Sequence, residues 1–288
     1  MTFKSVFVRI NRKSIRGDKV SELYDSICLT SVEATVLSMM GIDLPDGIAP
    51  PNRIVLEKFS DVRADRAVLY NPDAVALWIF QKYTELFADA YSVSDLAVPL
   101  LSVMPSVTPV CFASMYTGVL PEVHGIRRYE KPVLRQKTLF DVLIENGKKP
   151  AIVSTSGDSI SKIFLERDMD YYIYDTIDEV NAKAHELIKK DIYDVIVIYN
   201  GNYDARMHKT GPESEDSLNQ LRRNIADYRA FAEDIRSFLG EHTTFFGFMP
   251  DHGCHEIDGD CGGHGLDMEE DMNIIHFYGL NRGTSDDT

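Results

Sequence analysis

The sequence predicts a three-layer α/β/α fold around a mainly parallel central sheet. Two observations predict it. From residue 67 onward, short apolar runs alternate with amphipathic helical stretches. The apolar runs are also nearly continuous, as expected where helices cover a strand on both faces. The chain has 288 residues. That exceeds an average domain of ~150 residues, although one α/β domain also reaches ~250.

The elements follow in order. Residues 18–40 read as one or two helices, with Thr30 or Ser31 as a cap for the second. Gly41, Pro45, Gly47, Pro50 and Pro51 make 41–52 a loop. The expected division is therefore an N-terminal helical extension, 1–60, packed on a main domain, 61–288. Residues 67–70 form a strand ending at Asn71-Pro72-Asp73. Residues 74–90 form a helix with Val75, Trp78, Ile79, Tyr83 and Phe87 on one face. Further strands are expected at 96–104, 150–154, 171–174, 193–199, 243–249 and 273–278. Further helices are expected at 109–116, 138–146, 177–189 and 214–239, the second of these stopped by Gly147.

Charge narrows the partners. Lys plus Arg number 30 against 45 Asp plus Glu, a formal net charge of -15. Such a chain repels phosphate backbones and anionic bilayers, so neither a nucleic-acid polymer nor a membrane is an expected partner. An anionic substrate would need local attraction, which a bound cation supplies. No window approaches the ~20 apolar residues of a membrane span. The basic segment 1–16 lacks the apolar stretch of a secretory signal. Four cysteines in a chain of this length suit a reducing cytoplasm, the expected location.

In parallel sheets, ligands bind beyond the carboxyl ends of the strands. Those ends carry Asp73, Thr108, Asp204 with His208 four residues on, Asp251-His252-Gly253, and His264. Carboxylates and imidazoles both suit zinc or another divalent first-row metal, and this set exceeds the needs of one tetrahedral ion. Singly, each has a plainer reading. Asp73 or Thr108 could cap a helix, and Asp204 could close an Asx-turn.

The combination resembles the alkaline phosphatase superfamily, above all its nucleotide pyrophosphatase/phosphodiesterase and phosphonoacetate-hydrolase-like branches. The matching pieces are Thr108-Pro-Val-Cys-Phe-Ala-Ser-Met-Tyr-Thr117-Gly118, then Pro121-Glu122-Val123-His124-Gly125-Ile126. Asp204-x-x-x-His208-x-x-Gly211-Pro212, Asp251-His252-Gly253 and Gly263-His264-Gly265 complete the set. The resemblance runs from about residue 66 to 280. It implies an alkaline phosphatase-like catalytic domain without a large cap. It implies a hydrolase of phosphate esters, a phosphodiesterase or phosphatase, acting on a small anionic phosphoester. Two divalent ions are implied, zinc first, with manganese or iron also accepted by such donors. Asp204, His208 and His264 would hold one ion. Asp73, Asp251 and His252 would hold the other, with the Thr108 oxygen as a further ligand. Thr108 would be the nucleophile, passing through a phospho-threonine that water hydrolyses.

Two positions depart from the pattern. Asp73 is followed by Ala74 where the family has Gly. Tyr129 stands where the diesterase branch has an Asn that contacts a phosphoryl oxygen. Tyr129 could still donate a hydrogen bond, and Arg127 beside it could bind an anionic group; both are candidate substrate-binding residues. Two competing readings remain. Cys254, His255, Cys261 and His264 could form a structural zinc knuckle. Alternatively, the fold could serve as a non-catalytic metal-binding or regulatory module.

Overall fold

The computed structural model describes residues 27–284. Nine strands lie in it: β1 Arg66–Pro72, β2 Leu96–Leu101, β3 Pro150–Thr155, β4 Asp170–Tyr174, β5 Val195–Asn200, β6 Thr244–Phe248, β7 His255–Ile257, β8 Cys261–Gly263 and β9 Asn273–Asn281. Seven form one sheet in the order β2-β9-β6-β1-β5-β3-β4, and β7 and β8 pair as a separate hairpin. Within the large sheet, only β9 runs against its neighbours. Registers such as Ala67↔Val195 and Arg66↔Thr244 bring the ends of β1, β5 and β6 to one edge.

The apolar runs fill both faces. Val195 and Val197 of β5 point into one cluster, with Leu69, Ile152 and Phe245. Ile196 and Ile198 point into the other, with Val68, Tyr70, Val153 and Phe248. This is the two-residue alternation of a strand whose two faces are both buried. Helices Ser31–Met39, Thr108–Thr117 and Leu139–Glu145 cover the first face. Helices Leu77–Lys82, Ile177–Lys190 and Glu215–Phe238 cover the second. The expected three-layer α/β/α architecture is thus present.

Several helix starts follow local chemistry. Thr138 and Thr176 each close a reciprocal capping box, with Asp141 and Glu179 respectively. The expected helix at 74–90 breaks instead into Leu77–Lys82, a 3-10 turn Thr84–Phe87, and Ala88–Val93. Phe80, Phe87 and Tyr91 all pack on Phe277 of β9. The bend at Tyr83 accompanies that convergence, so tertiary packing overrides the local helical period. The strand expected at 96–104 ends at Leu101, where Ser102 N–H leaves the ladder for Met272 O. Helix Asn202–Thr210 and the β7–β8 hairpin were not anticipated.

Of the early segment, residues 18–26 and the basic stretch 1–16 lie outside the described residues. Helix Ser31–Met39 is buried at eight of its nine positions and packs on helix Thr108–Thr117, which is buried along its whole length. Among the described residues, no helix is long and apolar enough to cross a membrane.

Candidate metal centre

The site begins where β1 ends. Asp73 is 1% exposed, and its N–H donates to Asn200 O at the end of β5. The next residue, Ala74, has φ +64°, a left-handed conformation that glycine adopts more easily. This is the position where the resembled pattern has Gly and this sequence has Ala. The turn returns Ala74 N–H towards Asp251 Oδ1 at 3.4 Å.

Asp251 and His252 follow β6, and both are fully buried. A Cβ on Gly253 would stand 2.0 Å from Glu270 O, so only glycine lets the chain pass there. His252 Nε2 lies 3.2 Å from Asp73 Oδ1, 3.4 Å from Asp251 Oδ2 and 3.3 Å from Thr108 Oγ1. Thr108 opens its helix, but Val107 is the cap residue and no side-chain cap bond forms. The Thr108 hydroxyl instead donates to Asp73 Oδ2 at 3.3 Å. The capping readings of Asp73 and Thr108 therefore do not describe this structure.

A second group stands beside the first. Asp204 lies in the first turn of helix Asn202–Thr210, and His208 lies one turn later on the same face. His264 arrives from the far side, just after β8. Asp204 Oδ1 is 3.2 Å from His208 Nε2 and 3.4 Å from His264 Nε2, and the two Nε2 atoms are 3.0 Å apart. The rings of His252 and His264 stack at 4.0 Å, joining the two groups. Asp73, Asp251 and His252 make one candidate metal group, and Asp204, His208 and His264 the other.

Hydrogen bonding fixes which histidine nitrogen faces inward. His252 Nδ1 lies 2.9 Å from Gly253 O, His208 Nδ1 3.0 Å from Gly262 O, and His264 Nδ1 2.8 Å from Ser106 O. A carbonyl only accepts, so each Nδ1 carries the proton and a neutral ring turns its Nε2 lone pair into the site. Three carboxylate oxygens, Asp73 Oδ1, Asp204 Oδ1 and Asp251 Oδ2, are buried without a hydrogen-bond partner. Lone pairs facing lone pairs with no donor between them are costly in a buried site unless a cation sits there. The donor set therefore fits divalent ions.

The electrostatics of the buried Asp73, Asp251 and His252 group agree. Burial, reinforced by the charge on Asp204, pushes the Asp73 carboxyl up to about 7. Burial and then Asp73 push Asp251 well above the carboxylate range. Burial drives His252 well below its ordinary value. Burial also opposes ionisation of Asp204, but the imidazoles of His208 and His264 beside it prevail and hold it low. Without a cation, this site resists holding all its carboxylates ionised.

Tyr199 was not singled out in the sequence. Its hydroxyl donates to Asp73 Oδ2 at 2.5 Å, which leaves Oδ1 to face His252. It ends an apolar strand run, and no local pattern distinguishes it from its neighbours. Tyr129 and Arg127 stay outside the two metal groups on an exposed loop, Tyr129 at 62% exposure. Arg127 Nη2 donates to Glu122 O, and Lys131 lies over the Tyr129 ring while donating to Gly157 O.

The zinc-knuckle reading is corrected. Cys254 is fully buried, with its sulfur 3.7 Å from the Tyr203 hydroxyl, and burial pushes its thiol up. Cys261 Sγ faces Ile257 O across the hairpin, and His255 Nδ1 pairs with Asp271. His264 belongs to the Asp204 group. The four do not gather among the described residues.

No family model matches the chain, and no match is found among curated proteins. Solved structures do match. An inactive threonine-to-alanine variant of murine ectonucleotide pyrophosphatase/phosphodiesterase 5, in complex with AMP, aligns with TM-score 0.53 and 12% identity, over 67% of this chain and 58% of that one. Phosphonoacetate hydrolase from Sinorhizobium meliloti 1021, in complex with phosphonoformate, aligns with TM-score 0.50 and 17% identity, over 68% and 59%. BT1596, a 2-O GAG sulfatase, aligns with TM-score 0.53 and 10% identity, over 75% and 64%. The chain thus spans less than two thirds of the length of each. What these hydrolases share with the chain is the fold, an alkaline phosphatase-like α/β/α sandwich.

Proposed function

We propose that the protein is a two-metal phosphoester hydrolase acting through Thr108. One observation carries this reading. Three imidazole lone pairs and three unpartnered carboxylate oxygens converge in two adjoining groups, and one of those groups touches the Thr108 hydroxyl. The fold is consistent with it, and the AMP held by the murine neighbour's inactive threonine variant supports it.

Asp204, His208 and His264 would hold one ion. Asp73, Asp251 and His252 would hold the other, beside Thr108. Zinc suits the mixed carboxylate and imidazole donors, and manganese or iron are the alternatives. Such ions supply Lewis acidity, which eases ionisation of the Thr108 hydroxyl and neutralises phosphoryl oxygens.

The chain's own residues do the rest. Thr108 Oγ1 attacks phosphorus, the bond to the leaving alcohol breaks, and a phospho-threonine forms; water then returns the enzyme and releases phosphate or a monoester. Asp73 Oδ2 accepts the Thr108 hydroxyl's hydrogen bond in the resting state and orients the oxygen. Thr108 opens a ten-residue helix, whose positive dipole end favours the incoming anion. The substrate is a small phosphomonoester or diester. The net charge of -15 disfavours nucleic-acid polymers and anionic membranes, and four free cysteines fit a cytoplasmic setting.

The test is metal content by elemental mass spectrometry, with turnover of 4-nitrophenyl phosphate and bis(4-nitrophenyl) phosphate. About two ions per chain are expected, falling in Asp204→Asn. Thr108→Ala should cut turnover by about 10³-fold or more while most of the metal stays. A protein that takes up no metal on reconstitution, or a Thr108→Ala variant with near-full turnover, overturns the reading.

A further inference from the structure

The turn that carries His264 is held by polar contacts. Leu266 is 54% exposed, so its side chain anchors little. Gly265, at φ +107°, turns the chain sharply straight after the histidine. Two fully buried side chains grip this turn. Ser106 Oγ accepts from Gly265 N–H at 3.1 Å. Asp271 Oδ2 accepts from Leu266 N–H at 2.8 Å. The other Asp271 oxygen, Oδ1, lies 2.7 Å from His255 Nδ1 at the start of β7. A carboxylate only accepts, so that ring nitrogen donates.

The backbone beside this carboxylate reaches the other metal group. Asp271 O accepts from Gly253 N–H, directly after His252, at 2.8 Å. Met272 O accepts from Ser102 N–H at 2.7 Å, and the Ser102 hydroxyl donates to Asp251 O at 2.6 Å. Two consecutive residues thus hold the Asp251-His252-Gly253 turn through main-chain atoms and the His264 turn through one side chain. Substituting Asp271 leaves the main-chain ties in place. It removes the acceptor that Leu266 N–H and His255 Nδ1 share, and a donor left unpaired shifts or is desolvated at a cost. The side chain therefore bears on one metal group and the main chain on the other.

We infer that Asp271 is a positioning residue for His264. It fixes the turn after that histidine, so that Nε2 meets Asp204 at 3.4 Å and His208 at 3.0 Å. This rests on the two-metal reading and goes beyond it, giving a role to a carboxylate outside both donor sets.

The experiment uses the full chain loaded with zinc and a coloured chelator as competitor. The ion of the Asp204 group is recognised by its absence in His208→Ala. Asp271→Ala should weaken binding of that ion by about 10- to 100-fold and leave the other within about twofold. Asp271→Asn keeps an oxygen for Leu266 N–H and should return the affinity to within about threefold of wild type. Equal weakening of both ions, no weakening in Asp271→Ala, or an Asp271→Asn as weak as Asp271→Ala overturns the inference and leaves the two-metal reading standing. Residue-resolved amide exchange of metal-free wild type gives the answer even where Asp271→Ala fails to fold. The Leu266 amide should exchange well below the rate of an open amide, and free exchange there overturns the inference. A wild-type chain that takes up no zinc, manganese or iron overturns both readings.

Discussion

The two metal groups contain the same residue types in different settings. Asp73, Asp251 and His252 come from the ends of β1 and β6 in the middle of the sheet, and their side chains are 0–1% exposed. Asp204 and His208 sit on a short helix, and His264 follows a hairpin that pairs only with itself; the His208 side chain is 43% exposed. The same residue types therefore do not make equivalent sites. The buried group is fixed by parallel strand registers and shielded from water. The exposed group depends on Gly262 O and Ser106 O to aim its imidazoles. Slower ion exchange at the buried group and easier exchange at the other are the expected consequences of this difference.

The largest expected effect separates the groups directly. His208→Ala should remove about one of two ions and lower turnover by about 10³-fold, because a Lewis acid at phosphorus contributes several kcal/mol. Stepwise chelator titration, read by elemental analysis, should empty the Asp204 group first. Release of the Asp251 group first, or of both ions in one step, would break the comparison.

Tyr199→Phe sharpens it. Losing the phenol that orients Asp73 should weaken metal binding at the buried group by about 10- to 100-fold and spare the other. Competition with a coloured chelator measures this without relying on activity, and equal weakening at both groups would argue for a general structural defect.

A smaller effect lies behind the nucleophile's helix. Glu33 on helix Ser31–Met39 is buried with Oε2 unpartnered, and a Cβ on Gly118, at the end of helix Thr108–Thr117, would stand 3.0 Å from that oxygen. Burial, with Asp141 adding and Lys137 opposing, raises it to about 8. The folded state therefore holds this proton more tightly than the unfolded chain. The stability it confers is complete below the unfolded value and is lost as pH rises through about 8. Glu33→Gln should show a Tm gain over wild type that grows with pH, reaching about 5 °C by pH 9. A gain independent of pH would show that Glu33 does not carry this proton.

The smallest effect concerns the turn under Asp73. Ala74→Gly should relieve left-handed strain by about 0.5–1 kcal/mol net of the extra freedom of the unfolded chain, raising Tm by about 1–3 °C. A lower Tm would mean that the Ala74 methyl, buried in the second apolar cluster, outweighs its backbone.

Much of the site was legible because strand ends are legible. Apolar runs such as Val195-Ile-Val-Ile198 stop at polar turns, and a parallel sheet brings those turns to one edge. Asp73, Thr108, Asp204, Asp251 and His252 were placed by that logic together with the family resemblance. The bend at Tyr83 was not legible, since three aromatic rings converging on Phe277 leave no mark on the helical period. The knuckle failed for a related reason. Closeness in sequence suggested it, but Cys254 turns into the second apolar cluster while Cys261 lies across a hairpin from Ile257.

By itself, the sequence determined the layers and the donor types: apolar periodicity selects buried strands, and carboxylates and imidazoles are donors that suit a metal. The family resemblance supplied the grouping of the donors, and the tertiary structure alone decided how closely they meet and which nitrogen of each histidine faces inward. Ser106 O holds His264 across 158 residues, and Tyr199 holds Asp73 across 126. Contacts at such separations depend on where the packed sheet places the chain, which no local pattern of residues encodes.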